Sequence, residues 1–147
     1  MAIRVLLTLA VVPLLWSAVP AAPLTGPLAI VLNRDNPVAV LTLPDLQRIF
    51  RKQTRMWPHG EPVVPVDWDA TTEVRQEFTK QVLNRTVREM ADFWVQQNIT
   101  QGLTPPSTLK SARAVLRFVA SVPGAIGYLP AAEVDETVKI IEIKGLR

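Results

Sequence analysis

The 147 residues of the chain include 16 lysines and arginines, 13 aspartates and glutamates, and no cysteine. A formal net charge of +3 is too small to favour a nucleic-acid partner, and a chain without cysteine has no disulfide framework. Stability must therefore come from a hydrophobic core, and the length is sufficient for one domain but not for two.

The N-terminus has the features of a signal peptide that is removed on export. Arg4 supplies a positive charge, and residues 5–16 are mainly apolar. This run is too short to span a bilayer, which needs roughly 20 residues. Small residues then form a site of the kind that signal peptidase prefers, so we expect cleavage after Ala21. The predicted division is a signal peptide over residues 1–21 and one exported domain over residues 22–147.

The first strand and the first helix are predicted before residue 51. Residues 28–32 form an apolar run of strand length, which the polar turn at residues 33–37 closes. Residues 42–45 begin a helix, with a proline near the start and an acid three residues after the cap. The apolar face of this helix comprises Leu46, Ile49 and Phe50.

A second strand and a second helix follow, joined by a polar segment. The strand is predicted over residues 63–66, where Pro65 favours a sheet edge or a strand end because it has no N–H to donate. Polar residues dominate the segment 67–72. The helix after it has an amphipathic pattern marked by Val74, Phe78 and Val82.

The rest of the chain is predicted to contain two helices and two strands. Thr86 and Glu89 form a capping box, and the apolar face after it comprises Met90, Ala91, Trp94 and Val95. Turn formers occupy residues 102–108, and the next helix has the apolar stripe Ala112, Val115, Leu116, Val119 and Ala120. Strands are predicted over residues 125–129 and 138–143. Strands separated by helices predict an α/β fold with a mostly parallel sheet covered on both faces.

The junction between the second strand and its helix is the most site-like part of the chain. Ligands of such sheets bind beside helix N-termini at the carboxyl ends of strands, where the helix dipole favours anions. Hydroxyl and guanidinium groups that could donate to an anion come from Thr71, Thr72 and Arg75. We expect Arg75→Ala to abolish such binding without unfolding the domain.

The same helix start also carries negative charge. The carboxylates there belong to Asp67, Asp69 and Glu73. They satisfy the helix dipole themselves and repel an anion, so the alternative is a capped helix terminus that binds no ligand.

The residues expected of a catalytic or metal centre are missing from the sequence. His59 is the only histidine, and there is neither a nucleophile motif nor a Gly-rich phosphate loop. The acidic residues near the second helix lack the spacing of an EF-hand. We therefore predict that the protein is not an enzyme and needs neither a metal nor another cofactor.

Six short segments, taken in order, resemble one known family. They are residues 43–50 (LPDLQRIF), 57–60 (WPHG), 65–67 (PVD), 75–78 (RQEF), 93–94 (FW) and 123–128 (PGAIGY). Together they resemble the PstS-like phosphate-binding proteins of ABC transporters. The resemblance implies a periplasmic-binding-protein-like domain of type II topology, present as a single lobe, that captures phosphate for a membrane permease. It places Thr72, Glu73 and Val74 where the family has a Ser-Gly-Thr loop.

Two functions remain open at this point. In the first, the chain is a periplasmic solute-binding protein that binds phosphate or another small anion for an ABC transport system. In the second, it is a single-lobe interaction or sensor module that binds a protein partner, such as a receptor, and no small ligand. In both, the mature protein is not an integral membrane protein.

Overall fold

The structure is a computed structural model that describes residues 26–146. The predicted signal peptide over residues 1–21 lies outside them. The strands are β1 (Leu28–Asn33), β2 (Val40–Thr42), β3 (Val64–Trp68), β4 (Ser107–Leu109), β5 (Ala125–Pro130), β6 (Val138–Ile140) and β7 (Glu142–Lys144). The helices are α1 (Leu43–Phe50), α2 (Glu73–Leu83), α3 (Val87–Gln101) and α4 (Ala112–Ser121), and a short 3₁₀ helix covers Ala131–Glu133.

Five strands form the central sheet, in the order β4-β3-β5-β1-β6. β3 is parallel to both β4 and β5, whereas β1 is antiparallel to its neighbours β5 and β6. All strands of this sheet except β1 therefore run in one direction, which confirms the predicted α/β fold with a mostly parallel sheet. β1 differs because its neighbours come from the far end of the chain, so no short strand-helix-strand crossover sets its direction.

Helices cover both faces of the sheet, and β5 shows how. All six residues of β5 are buried. On one face, the Tyr128 ring stacks on Phe78 of α2 with a centroid distance of 3.6 Å and meets the edge of Phe50 of α1. On the other face, Gly127 packs so closely against Val115 of α4 that a Cβ would lie 3.1 Å from its Cγ1. Successive side chains of a strand point to opposite faces, so β5 contributes to both layers of the core.

The predicted helix starts are confirmed. Thr42 caps α1, with Asp45 completing a capping box, and Thr86 caps α3 in the same way with Glu89. In each box the threonine Oγ1 accepts a backbone N–H three residues later, and the acid accepts the N–H of the threonine. Two N–H groups without a helical partner are thereby satisfied at each helix start.

The beginning of β5 lies against the loop before β3. A Cβ on Gly124 would lie 1.8 Å from the carbonyl oxygen of Pro62, so this position accepts no side chain. The Gly124 carbonyl accepts hydrogen bonds from the Trp57 Nε1–H at 3.0 Å and from the Val64 N–H at 2.9 Å. The Pro-Gly-Ala-Ile-Gly-Tyr segment thus begins β5 beside β3.

Several predicted details of the elements are wrong. Ala91 and Val95 of α3 and Ala120 of α4 are exposed, because only part of each apolar stripe faces the core. Pro65, by contrast, is near a strand end, one of the two positions predicted for it. β3 itself pairs with a strand on each side, and its pairing with β4 begins after the proline.

The short strands were also not predicted. β2 and β4 have three residues each and little burial, so both are shorter and more exposed than the strands predicted from apolar runs. The strand predicted over residues 138–143 is divided at buried Ile141, after which β7 leaves the central sheet to pair with β2. Between residues 26 and 146, no helix is long and apolar enough to cross a bilayer.

Candidate functional site

The predicted site lies where β3 ends and α2 begins. β3 is inside the sheet, and its last residue, Trp68, is separated from the first residue of α2 by a four-residue turn. Thr72 is the N-cap, and its Oγ1 accepts the Arg75 N–H at 3.3 Å. The three predicted residues are adjacent along the chain, but the hydroxyls of Thr71 and Thr72 bond to Asp69, whereas the Arg75 guanidinium pairs with Asp67.

Both threonine hydroxyls donate to Asp69. The Thr71 Oγ1–H and N–H donate to Asp69 Oδ1 at 2.7 and 3.0 Å, and the Thr72 Oγ1–H donates to the Asp69 carbonyl oxygen at 2.8 Å. The hydrogen bonds from Thr71 lower the pKa of Asp69. An anion at this helix start would have to replace Asp69 as the acceptor for these donors.

Arg75 and Asp67 form a buried ion pair. Arg75 is 8% exposed and Asp67 is 4% exposed, and an Arg75 Nη1 atom contacts Asp67 Oδ2. Asp67 Oδ1 accepts the hydroxyl of buried Tyr128 and the Trp68 N–H, the latter at 2.9 Å. Burial lowers the pKa of Arg75 and raises the pKa of Tyr128. The pair is therefore neutral overall and is built into the core.

Because of this ion pair, the expectation that Arg75→Ala leaves the domain folded must be revised. Removal of one partner from a buried pair leaves the other as an uncompensated charge, which is strongly destabilising. Arg75→Ala is therefore expected to affect folding as well as any ligand. The sequence could not show this, because Tyr128 and Asp67 are far apart in the chain.

Apart from the predicted site, a groove between α2 and α3 carries positive charge that the sequence analysis missed. It has a volume of about 580 Å³, and its cationic lining consists of Lys80, Arg85 and Arg88, all of them exposed. The first turn of α3 at this groove is already capped by Thr86 and Glu89. The close spacing of the three basic residues around the turn between the helices is the signal that could have identified it.

The histidine and the acidic residues are arranged as follows. His59 is on the exposed loop before β3, where its ring stacks on Trp57 and its Nε2 lies 3.3 Å from Glu61 Oε2. Within residues 26–146, no three histidine, aspartate or glutamate side chains are grouped to hold a metal ion.

Solved structures of phosphate-transport proteins share this architecture. An ABC-type phosphate transport receptor from Vibrio cholerae matches 79% of this chain with a TM-score of 0.65 and 22% identity. A protein from Clostridium perfringens, described as a phosphate ABC transporter substrate-binding protein and solved with bound phosphate, matches 82% with a TM-score of 0.64 and 22% identity. PstS from Borrelia burgdorferi matches 82% with a TM-score of 0.63 and 13% identity. The domain has the phosphate-receptor fold.

The match covers 45, 46 and 48% of those three proteins, so this chain spans less than half of their length. It corresponds to a single lobe of the phosphate-receptor fold. The resemblance read from the six segments is therefore confirmed at the level of the fold. No family model matches the sequence, and no curated protein matches it.

Proposed function

We propose that this chain is a single-lobe solute-binding protein of the periplasm, which binds phosphate or another small anion for an ABC transport system. The observation that carries the proposal is the fold shared with phosphate-transport receptors, one of them solved with bound phosphate. A membrane permease is the proposed partner, as the ABC transporters named for those proteins suggest. Function depends on the site as well as on the fold, so the site must also be suitable.

The start of α2 supplies the proposed donors. α2 has 11 residues, long enough for its dipole to favour an anion at the N-terminus. The hydroxyls of Thr71 and Thr72 lie at this end and already bind oxygen atoms of Asp69. In the proposed complex, the Asp69 carboxylate turns towards solvent and the anion replaces it as the acceptor for Thr71. The Thr72 hydroxyl rotates to the anion from the Asp69 carbonyl oxygen, which keeps the Thr72 N–H.

Arg75 has an electrostatic role in this proposal. Its guanidinium neutralises Asp67 below the helix start, so one of the three carboxylates no longer repels an anion. An unpaired Asp67 at the same place would oppose binding in a poorly screened environment. The site is therefore best described as two threonine hydroxyls above a neutralised core pair.

The experiment is isothermal titration of the purified protein with phosphate and with sulfate, together with its mass in solution. Thr71→Val removes the hydroxyl but keeps the shape of the side chain. Loss of a hydrogen bond to an anion should weaken phosphate binding about tenfold or more. Thr137→Val is the matched control, because Thr137 donates to Asp135 in the same arrangement away from α2.

Two results would contradict the proposal in different ways. No heat with either anion, from protein shown to be folded, would remove the solute-binding function. If phosphate binding were unchanged in Thr71→Val but lost in Arg85→Ala or Arg88→Ala, the solute-binding function would stand, but the binding site would be the groove between α2 and α3.

A further inference from the structure

α3 carries an apolar stripe that the core does not cover. The stripe consists of Val87, Ala91, Val95 and Ile99, which are four residues apart and so lie on one face of the helix. Val95 is 61% exposed and Ile99 is 78% exposed. The stripe forms a wall of a pocket of about 490 Å³, within the size range of small-molecule sites.

Two buried N–H groups without partners belong to residues that line the same pocket. Trp94 is 6% exposed and Arg75 is 8% exposed, and both residues contribute to the pocket lining. Within residues 26–146, the Trp94 Nε1 and the Arg75 Nε have no hydrogen-bond partner. Buried donors are nearly always paired, so two orphaned donors on separate helices point to an acceptor supplied from outside the chain.

The other two tryptophans of the described residues make the contrast clear. The Trp57 Nε1–H donates to the Gly124 carbonyl at 3.0 Å, and the Trp68 Nε1–H donates to the Tyr128 carbonyl at 2.7 Å. Trp94 differs from both, although it is equally buried. Trp94 is one of the residues that line the pocket, so a ligand that entered between α3 and α2 could bring an acceptor oxygen to this N–H.

The charges around this pocket favour an uncharged ligand. The Arg75 charge is compensated by Asp67, so a second negative charge would gain little from Arg75. The walls formed by Val95, Ile99 and Pro105 are apolar and would remove water from a charged group. A carbonyl oxygen can accept a hydrogen bond without this penalty.

We propose that the pocket between α3 and the start of α2 binds an uncharged, mainly apolar molecule through a carbonyl-type oxygen. The Trp94 and Arg75 N–H groups donate to this oxygen, and the stripe on α3 packs against the apolar body of the ligand. The site differs from the proposed anion site, since it uses neither threonine hydroxyl. Failure of phosphate to bind would leave it unaffected.

The test uses three probes of similar size that differ in one property. Acetophenone is apolar with a neutral carbonyl, ethylbenzene lacks an acceptor, and benzoate is charged. Each is titrated into the ¹⁵N-labelled protein, and the tryptophan indole N–H signals are followed by NMR. Trp94→Phe assigns the Trp94 signal by its disappearance. Acetophenone should shift this signal downfield in a saturable manner, as expected when an unbonded N–H gains an acceptor.

The comparison of probes tests the hydrogen bond. Acetophenone should bind at least about fivefold more tightly than ethylbenzene, since each of the two hydrogen bonds can contribute about that factor, and also more tightly than benzoate. In Trp94→Phe, followed through backbone amides of α3, the preference for acetophenone over ethylbenzene should be reduced. An unchanged preference, or tighter binding of benzoate, would overturn the assignment of the donors and of the neutral ligand.

A second pair of variants tests the location. Ala91→Phe fills the pocket from the exposed stripe, whereas Ala120→Phe makes the same change on the exposed side of α4. Acetophenone binding should be lost in the first variant and retained in the second. Retention in both, or no saturable shift in the wild-type protein, would show that the pocket is not a ligand site.

Discussion

Replacement of Arg75 by alanine should lower the free energy of unfolding by about 3 kcal/mol. Breaking a buried ion pair costs roughly 3–5 kcal/mol, because the remaining charge is uncompensated. Asp67 is only 4% exposed, but it retains hydrogen bonds from Tyr128 and Trp68, which places the expected cost at the lower end. The corresponding fall in melting temperature is about 12 °C for a domain of this size.

The measurement is urea unfolding followed by tryptophan fluorescence, for the wild type, Arg75→Ala, Asp67→Asn, and the double variant that combines these two substitutions. The amide introduced by Asp67→Asn can still accept from Tyr128 and Trp68 through its Oδ1, and the double variant leaves no charge at the position of the pair. The double variant should lower the free energy of unfolding by about 2 kcal/mol less than the sum of the two single variants. If Arg75→Ala lowered the free energy of unfolding by less than about 1 kcal/mol, with the same dependence of that free energy on urea concentration, the buried-pair reasoning would be refuted.

Three further predictions concern a close backbone contact, the anion site and a helix cap. Gly124→Ala should cost about 3 kcal/mol in urea unfolding, because its Cβ would lie 1.8 Å from the Pro62 carbonyl oxygen. Gly102 has a positive φ but open space around it, so Gly102→Ala should lower the free energy of unfolding by only about 1 kcal/mol. Equal losses in the two variants would contradict the clash at Gly124. Asp69→Asn should strengthen phosphate binding about threefold by calorimetry, and unchanged or weaker binding would argue against the α2 site. Hydrogen bonds from Thr86 lower the pKa of Glu89, so its stabilising effect is complete above its ordinary pKa of 4.5 and is lost as the pH falls further. The difference in free energy of unfolding between the wild type and Glu89→Gln should therefore become smaller as the pH is lowered below 4.5, and a difference independent of pH would refute this.

The sequence predicted the local arrangement of the proposed anion site, which depends on near neighbours in the chain. Thr72 was expected near the start of α2, and Thr71 and Arg75 within one turn of it, which is where the structure has them. The pairing of Arg75 with Asp67 was not predicted, because the polar residues of this junction were treated as one cluster at the helix surface. Burial of the pair depends on Tyr128, which is 61 residues beyond Asp67.

The exposed stripe on α3 was missed for a related reason. An apolar pattern with helical spacing indicates a buried face, and Met90 and Trp94 are indeed buried. Val95 and Ile99 belong to a neighbouring stripe that no other element covers in the described residues. Apolar spacing identifies the faces of a helix, but it does not identify which face meets another element.

Helix boundaries were readable because a capping box is complete within four residues, and its hydrogen bonds form wherever the helix lies in the fold. The direction of β1, the division of the last strand and the neutralisation of Arg75 each require groups from distant parts of the chain to meet. Such contacts form only when the core excludes water around β5, so they depend on tertiary packing and leave no local pattern in the sequence.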